Sequence, residues 1–187
     1  MSGFDAPAMS GKLTVRPVTL ENWPDLETLF ETKGAPSYCW CMAWRAMADR
    51  TRASSADRKA ALHQRVKDGV PVGLIGYLDG EAVAWCSVAP RETFRQLKPD
   101  QIPEAGAWSV VCFYIRREYR SRGLSSQLLE EAVKAAKASG AKFIEAYPVD
   151  PDSPSYRFMG FVSLFERCGF EPTGKAGSRR HVMRRDL

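Results

Sequence analysis

The stretch RREYRSRGLSSQLLEEA, Arg116 to Ala132, sets arginines around a lone glycine, follows them with two serines and runs at once into a patterned helix. Leu124, Leu128, Leu129, Ala132, Val133 and Ala136 fall on a single stripe, and Gly140 supplies the stop. The first turn of an α-helix has N–H groups without a partner inside the helix, and the aligned peptide dipoles place partial positive charge there. A phosphate fits such a place. Gly123 lets the backbone approach a ligand, Arg120 and Arg122 add full charges, and Ser125 and Ser126 add hydroxyls. The loop reads as a pyrophosphate cradle. It is neither of the two commonest ones, because the chain has no GxxxxGK followed by Ser or Thr and no GxGxxG.

Outward from that loop the chain divides into regular elements. AWSVVCFYI, residues 107–115, is apolar almost without alternation, as expected of a strand covered on both faces. KFIEAYPV reads as another strand, FVSLFERCG as a short helix and RHVMRRDL as a closing strand. Upstream, GLIGYL and AVAWCSVA flank Asp79-Gly80, the preferred chemistry of a tight hairpin. SSADRKAALHQRVKDG starts on serine caps, carries Ala61, Leu62 and Val66, and ends at Gly69, so it predicts a helix. KLTVRPV predicts the first strand, and TLENWPDLETLFET a helix with Leu20, Trp23, Leu26, Leu29 and Phe30 inward and Gly34 as its stop. RETFRQLKPDQIPEAG reads as a loop, and no internal repeat occurs.

The apolar strand ending in FYI, the arginine-rich turn, R-x-x-G-x-S and the long amphipathic helix, with LFERCGF following, resemble motif A of the GNAT superfamily of N-acetyltransferases. The resemblance runs from the first strand near Leu13 to Leu187. It implies an α+β (α/β/α) fold with a mixed, mostly antiparallel sheet of about six to seven strands flanked by about four helices. It further implies acetyl-CoA as co-substrate. Under it Arg120, Ser121, Arg122, Gly123, Leu124 and Ser125 take the cradle positions with Ser126 beside them, Ser125 standing where glycine or alanine is usual. Phe113, Tyr114 and Ile115 occupy the strand segment whose backbone pairs with the pantetheine arm. A splayed break beside VVCFYI is expected to offer an N–H to the oxyanion.

Acyl transfer to an amine needs a neutral nucleophile, and an alkylamine has a pKa of about 10.4, so a general base helps. Glu145, on one strand face with Phe143 and Tyr147, is the candidate base, since a carboxylate among aromatics has a raised pKa; the competing reading pairs it with a nearby arginine. Glu104 and Glu118 are the other carboxylates in view. The family's usual acid is a tyrosine in L-Y-x-x-x-G-F, where this chain has Phe165. Tyr156 is the candidate replacement, with Tyr147 or water as alternatives. Two functions therefore stay open: an N-acetyltransferase acting by direct attack of a primary amine of a small molecule or peptide, and a catalytically impaired acyl-CoA-binding sensor or interaction module.

In SYCWCMAWR, Tyr38, Trp40 and Trp44 form an aromatic wall, either core or the lining of an acceptor pocket. Cys39 and Cys41 have no second cysteine pair or close histidine to complete a zinc site, so no metal is expected. His63 and His181 read as structural, and Cys112 and Cys168 as buried thiols.

Charge and composition set the remaining bounds. With 44% hydrophobic and 26% charged residues the chain is ordinary globular protein. The net charge of +5 gathers in the closing GKAGSRRHVMRRDL, but no nucleic-acid module accompanies it, so no nucleic-acid partner is expected. No run is long and apolar enough for a membrane span, and MSGFDAPAMSGK lacks the regions of a secretion signal, which predicts a cytoplasmic protein without a membrane partner. Five cysteines, an odd number, fit a reducing compartment. Residues 1–11 read as a flexible leader and 12–187 as one acyltransferase domain, compatible with a homodimer.

Overall fold

The computed structural model describes residues 11–99, 101–102 and 104–187. The leader expected over 1–11 therefore lies outside the described residues, apart from Gly11. Among the described residues seven strands form one sheet: β1 (Thr14–Pro17), β2 (Leu74–Leu78), β3 (Glu81–Pro90), β4 (Ala107–Ile115), β5 (Phe143–Ala146), β6 (Glu171–Ala176) and β7 (Arg180–Asp186). Their spatial order is β1, β2, β3, β4, β5, β7, β6. Only the β4 and β5 pair is parallel; every other neighbouring pair is antiparallel. Four helices, α1 (Trp23–Glu31), α2 (Ser55–Lys67), α3 (Leu124–Ala138) and α4 (Val162–Arg167), cover the two faces. This is the α+β arrangement expected from the sequence. No helix among the described residues is long and apolar enough to cross a membrane.

Local chemistry explains the elements. Ser54 and Asp57 close a capping box at the start of α2, satisfying two donors at once. Asp79 and Gly80 both take positive φ, 49° and 84°, the backbone that a tight hairpin between β2 and β3 demands. On one face Trp23, Leu26 and Phe30 of α1 and Leu62 of α2 pack on Trp85 and Val111; on the other, Leu128, Leu129 and Ala132 of α3 and Phe165 of α4 pack on Val110 and Ile144.

A bulge in β4 sets the site. Ser87 of β3 faces Cys112 while Val88 faces Val110, so Val111 is an extra residue in the ladder. Up to the bulge Trp108 and Val110 face α3; beyond it Phe113 and Ile115 do, and Cys112 and Tyr114 face the α1 side. One inserted residue has exchanged the two faces. Both faces of the strand are covered, which accounts for a sequence that hardly alternates.

Three sequence expectations are corrected. Leu20 precedes α1 and is exposed rather than inward. The helix ends at Glu31, three residues before Gly34, because Thr32 turns extended and its hydroxyl donates back to the Leu29 carbonyl at 2.7 Å. Finally β6 was not foreseen, since Pro172 and Gly174 disguise a strand that lies on the sheet edge.

Candidate functional site

Parallel pairing of β4 with β5 ends at Val110 and Ala146. It stops at the bulge, and the rest of β4 runs on without β5 beside it. Into the resulting notch open two cavities, one on each face of the sheet. They share Phe113, Tyr114 and Phe158 as a common wall.

The first cavity, of about 530 Å³, lies between the free end of β4, the start of α3 and the beginning of α4. Phe113, Tyr114, Ile115, Arg120, Ser121, Gly123, Leu124, Ser125 and Ser126 all line it. Of the sequence-proposed cradle only Arg122 stays out of its wall, with its guanidinium 5.6 Å from the centre of the Tyr119 ring. Gly123 has φ +73°, and a Cβ there would meet nothing within 4 Å. It begins α3 with no side-chain cap, and the first-turn residues Leu124, Ser125 and Ser126, whose N–H groups have no partner inside the helix, line the cavity. Ser121 holds a second left-handed conformation at φ 61°, rare for a residue with a side chain. Arg120 Nε donates to the Ile115 carbonyl at 2.9 Å and pins the loop to the strand end. Arg116 next to it is neutralised by Glu81 and Glu118.

The opposite wall was missed from the sequence. Arg157, Phe158, Gly160, Phe161, Ser163 and Arg167 complete the cavity. Arg157 stacks on Phe161 at 4.9 Å and donates to the Pro151 carbonyl. One signal was readable: Gly160 at φ +88° could bear no side chain, since a Cβ would lie 2.9 Å from Phe165 Cε2. A glycine between FM and FVSLF marks that close approach.

The second cavity, of about 240 Å³, is formed by the segment after α1 and by Val111 to Tyr114. Tyr38 and Trp44 line it; Trp40 does not, being buried against Trp23 and Phe30 with its indole N–H donated to Ser55 Oγ at 3.2 Å. Trp40 and Cys41 both have positive φ, 45° and 51°, so this segment is held against its own preference. Two buried groups hold it. Trp85 Nε1 donates to Cys41 Sγ at 3.0 Å, and Arg45 donates through Nη2 to the Val72 carbonyl at 2.6 Å and to Ser87 Oγ at 3.0 Å. Burial without a carboxylate pushes the Arg45 guanidinium down to about 9.

Two of the three thiols around this cavity are held in the protonated form. The hydrogen bond that Cys39 donates to Cys41, together with burial, raises the Cys39 thiol well above its ordinary value, and the neighbouring Cys112 together with burial does the same for Cys41. All five cysteines are free, and no group of three or more potential metal ligands occurs among the described residues.

The two proton-transfer candidates lie elsewhere. Glu145 lines neither cavity. It is buried on β5, where Oε2 accepts from Arg91 Nη1 at 2.9 Å and from the Tyr147 hydroxyl at 2.9 Å, while Lys98 Nζ lies 3.6 Å from Oε1. This is the arginine-paired arrangement that competed with the base reading. Tyr156 lies outside both cavities, on an adjoining groove, with its ring 6.3 Å from Trp44. Phe165 is fully buried, packed edge-on against Phe170 at 5.2 Å.

The split sheet, with the start of α3 beside the gap and a cavity on each face, defines the fold class. The chain belongs to the acetyltransferase (GNAT) family, whose sequence model matches residues 23–170. Solved structures agree on the fold. An aminoglycoside acetyltransferase in complex with coenzyme A is similar at TM-score 0.63 and 15% identity, over 94% of this chain and 95% of that one. A ribosomal-protein-alanine N-acetyltransferase from Brucella melitensis gives 0.58 and 18% over 93% and 99%. The PaiA N-acetyltransferase from Thermoplasma acidophilum, also with coenzyme A, gives 0.57 and 15% over 94% and 99%. No curated protein sequence matches this chain.

Proposed function

We propose that residues 12–187 form an acyltransferase that moves an acetyl group from acetyl-CoA to a primary amine by direct attack. The observation that carries it is the notch itself: one stretch of β4, Phe113 and Tyr114, is wall to a basic, phosphate-suited cavity on one face and to a separate cavity on the other.

The residues present fit the co-substrate. The uncapped first turn of α3, Ser125, Ser126 and Arg120 would hold the pyrophosphate, with Arg167 across the cavity adding charge. The edge of β4 beyond Val110, left without β5, would take the pantetheine arm. When bound, acetyl-CoA supplies a thioester carbonyl. Transfer forms a C–N bond, breaks the C–S bond and releases one proton from nitrogen, which the thiolate or solvent takes up.

Since Glu145 is committed to Arg91, the amine must lose its proton by another route. The second cavity has no carboxylate in its wall, so an ammonium group entering it is desolvated without compensation. Desolvation favours the neutral amine, which is the nucleophile. A thiol has a pKa of about 8.5, so the thiolate leaves without an obligatory acid, and the phenylalanine at position 165 is compatible with turnover.

The test is release of free thiol from acetyl-CoA over a panel of amines, with Gly123→Asp as the control. Turnover that disappears in the control supports the transferase. Tight acetyl-CoA binding with no acetylated acceptor would support the sensor reading instead.

A further inference from the structure

The second cavity and its rim differ in kind. Its wall is made of Gly34, Ala35, Pro36, the aromatics Tyr38, Trp44, Phe113, Tyr114 and Phe158, three thiols and two small aliphatics, with no ionisable carboxylate, amine or guanidinium. Its volume of about 240 Å³ lies below the range of about 300–1,000 Å³ that encloses drug-sized ligands. Room exists for one apolar side chain, not for an oligosaccharide.

A groove continues outward from it, sharing Tyr38, Cys39, Ala43, Trp44 and Phe158. The groove adds Arg50, Arg58 and Arg95 and no carboxylate. Arg95 lies 4.7 Å over the Trp44 ring, and Arg180 lies 4.5 Å from the same ring. None of these four arginines makes an ion pair among the described residues, whereas Arg91, Arg116, Arg184 and Arg185 each have a carboxylate within salt-bridge distance. Burial, then the like charges of Arg50 and Arg180, lower the Arg95 guanidinium from its ordinary value. Clustered cations whose hydrogen bonds go to neutral carbonyls, Ala43 for Arg95 and Leu97 for Arg180, are stabilised by an added anion.

We infer that the acceptor is a small amine bearing both an apolar or aromatic side chain and a carboxylate, in chemical class a hydrophobic amino acid. The inference rests on the acyl-transfer reading above. The side chain fills the apolar cavity, the carboxylate meets Arg95 and Arg50 at the rim, and the amine is left at the wall shared with the first cavity. Polycations such as aminoglycosides and polyamines are disfavoured twice, by uncompensated desolvation inside and by like charge at the entrance.

The experiment compares phenylalanine, tryptophan and methionine with 2-phenylethylamine and tryptamine, which lack the carboxylate, and with spermidine and kanamycin. Acetyl-CoA affinity is measured in parallel by calorimetry, and amino-acid binding to the CoA-saturated protein by the same method. The expected result is kcat/KM for the amino acids about tenfold or more above their decarboxylated counterparts, with the polycations slowest. Arg95→Gln and, independently, Arg50→Gln, the native side chain of which makes no ion pair among the described residues, should each shrink that ratio through KM. Polycations as the best acceptors, an unchanged ratio in both variants, or no amino-acid binding to the CoA-saturated protein would each overturn the acceptor class while leaving acyl transfer standing. Failure of acetyl-CoA itself to bind would overturn the reading beneath it.

Discussion

Arg91 and Glu145 face each other at 2.9 Å with both side chains almost wholly buried. The pair joins the turn after β3 to β5, two elements with β4 between them in the sheet. Removing Arg91 leaves Glu145 with Lys98 at 3.6 Å and the Tyr147 hydroxyl, whereas removing the Glu145 charge leaves the buried Arg91 guanidinium without a carboxylate. We expect Arg91→Ala to lose stability in urea denaturation, by less than the about 3–5 kcal/mol of a fully unpaired buried charge. Glu145→Gln should likewise lower the melting temperature. A Glu145→Gln protein with unchanged stability, a lost acidic limb in its pH profile and collapsed turnover would return Glu145 to the role of base.

Gly123 has open space where a side chain would go but a backbone that L-residues resist. Gly123→Ala should cost on the order of 1 kcal/mol in stability through that strain. Gly123→Asp adds a negative charge where phosphate is expected, and acetyl-CoA affinity by calorimetry should fall by about a hundredfold or more. Equal losses for both variants would point to strain, not charge.

Phe165→Tyr restores the residue whose absence the sequence made conspicuous. The position is fully buried among Phe113, Phe170 and Gly160, so the new hydroxyl lacks a ready partner and should cost about 1–3 kcal/mol. Turnover at saturating acetyl-CoA should not rise. A large gain in kcat would show that proton delivery to the thiolate limits the reaction.

Stability should decline in alkali. Cys39, Cys41 and Cys86 have thiols raised by hydrogen bonding or burial, whereas in the unfolded chain they ionise near 8.5. Above that pH the native state binds more protons than the unfolded one, so unfolding free energy falls as pH rises, by up to about 1.4 kcal/mol per unit for each such thiol. Below it their contribution is fully present. Urea titrations under reductant at pH 7.5, 8.5 and 9.5 measure the slope, and a flat profile would contradict the burial of these groups.

The cradle was legible because its chemistry is local. Glycine, arginines and serines at the start of an amphipathic helix announce themselves within a few residues, and all but Arg122 meet in one cavity. The facing wall was not legible, since Arg157, Ser163 and Arg167 reach the cavity only through the path of the chain after β5. Trp40 and Trp44 show the same limit inside one motif. Four residues apart, both are buried but only Trp44 reaches the cavity, because left-handed turns at Trp40 and Cys41 break any regular period. Glu145 had the right composition around it, but its partner Arg91 lies far off in sequence, where spacing carries no information. The face exchange at Val111 was equally hidden, because a strand apolar on both faces shows no alternation whose phase could slip.

The strand hardest to foresee has the clearest consequence for the life of the protein in a crowded solution. On the outermost strand, β6, Pro172 contributes no N–H, the register slips between Pro172 and Gly174, and Lys175 adds a charge. A rim so interrupted is a poor template for another chain's backbone. Two copies meeting there gain little by extending one continuous sheet, so self-association into ribbons is resisted at the same place where the sequence hid its strand.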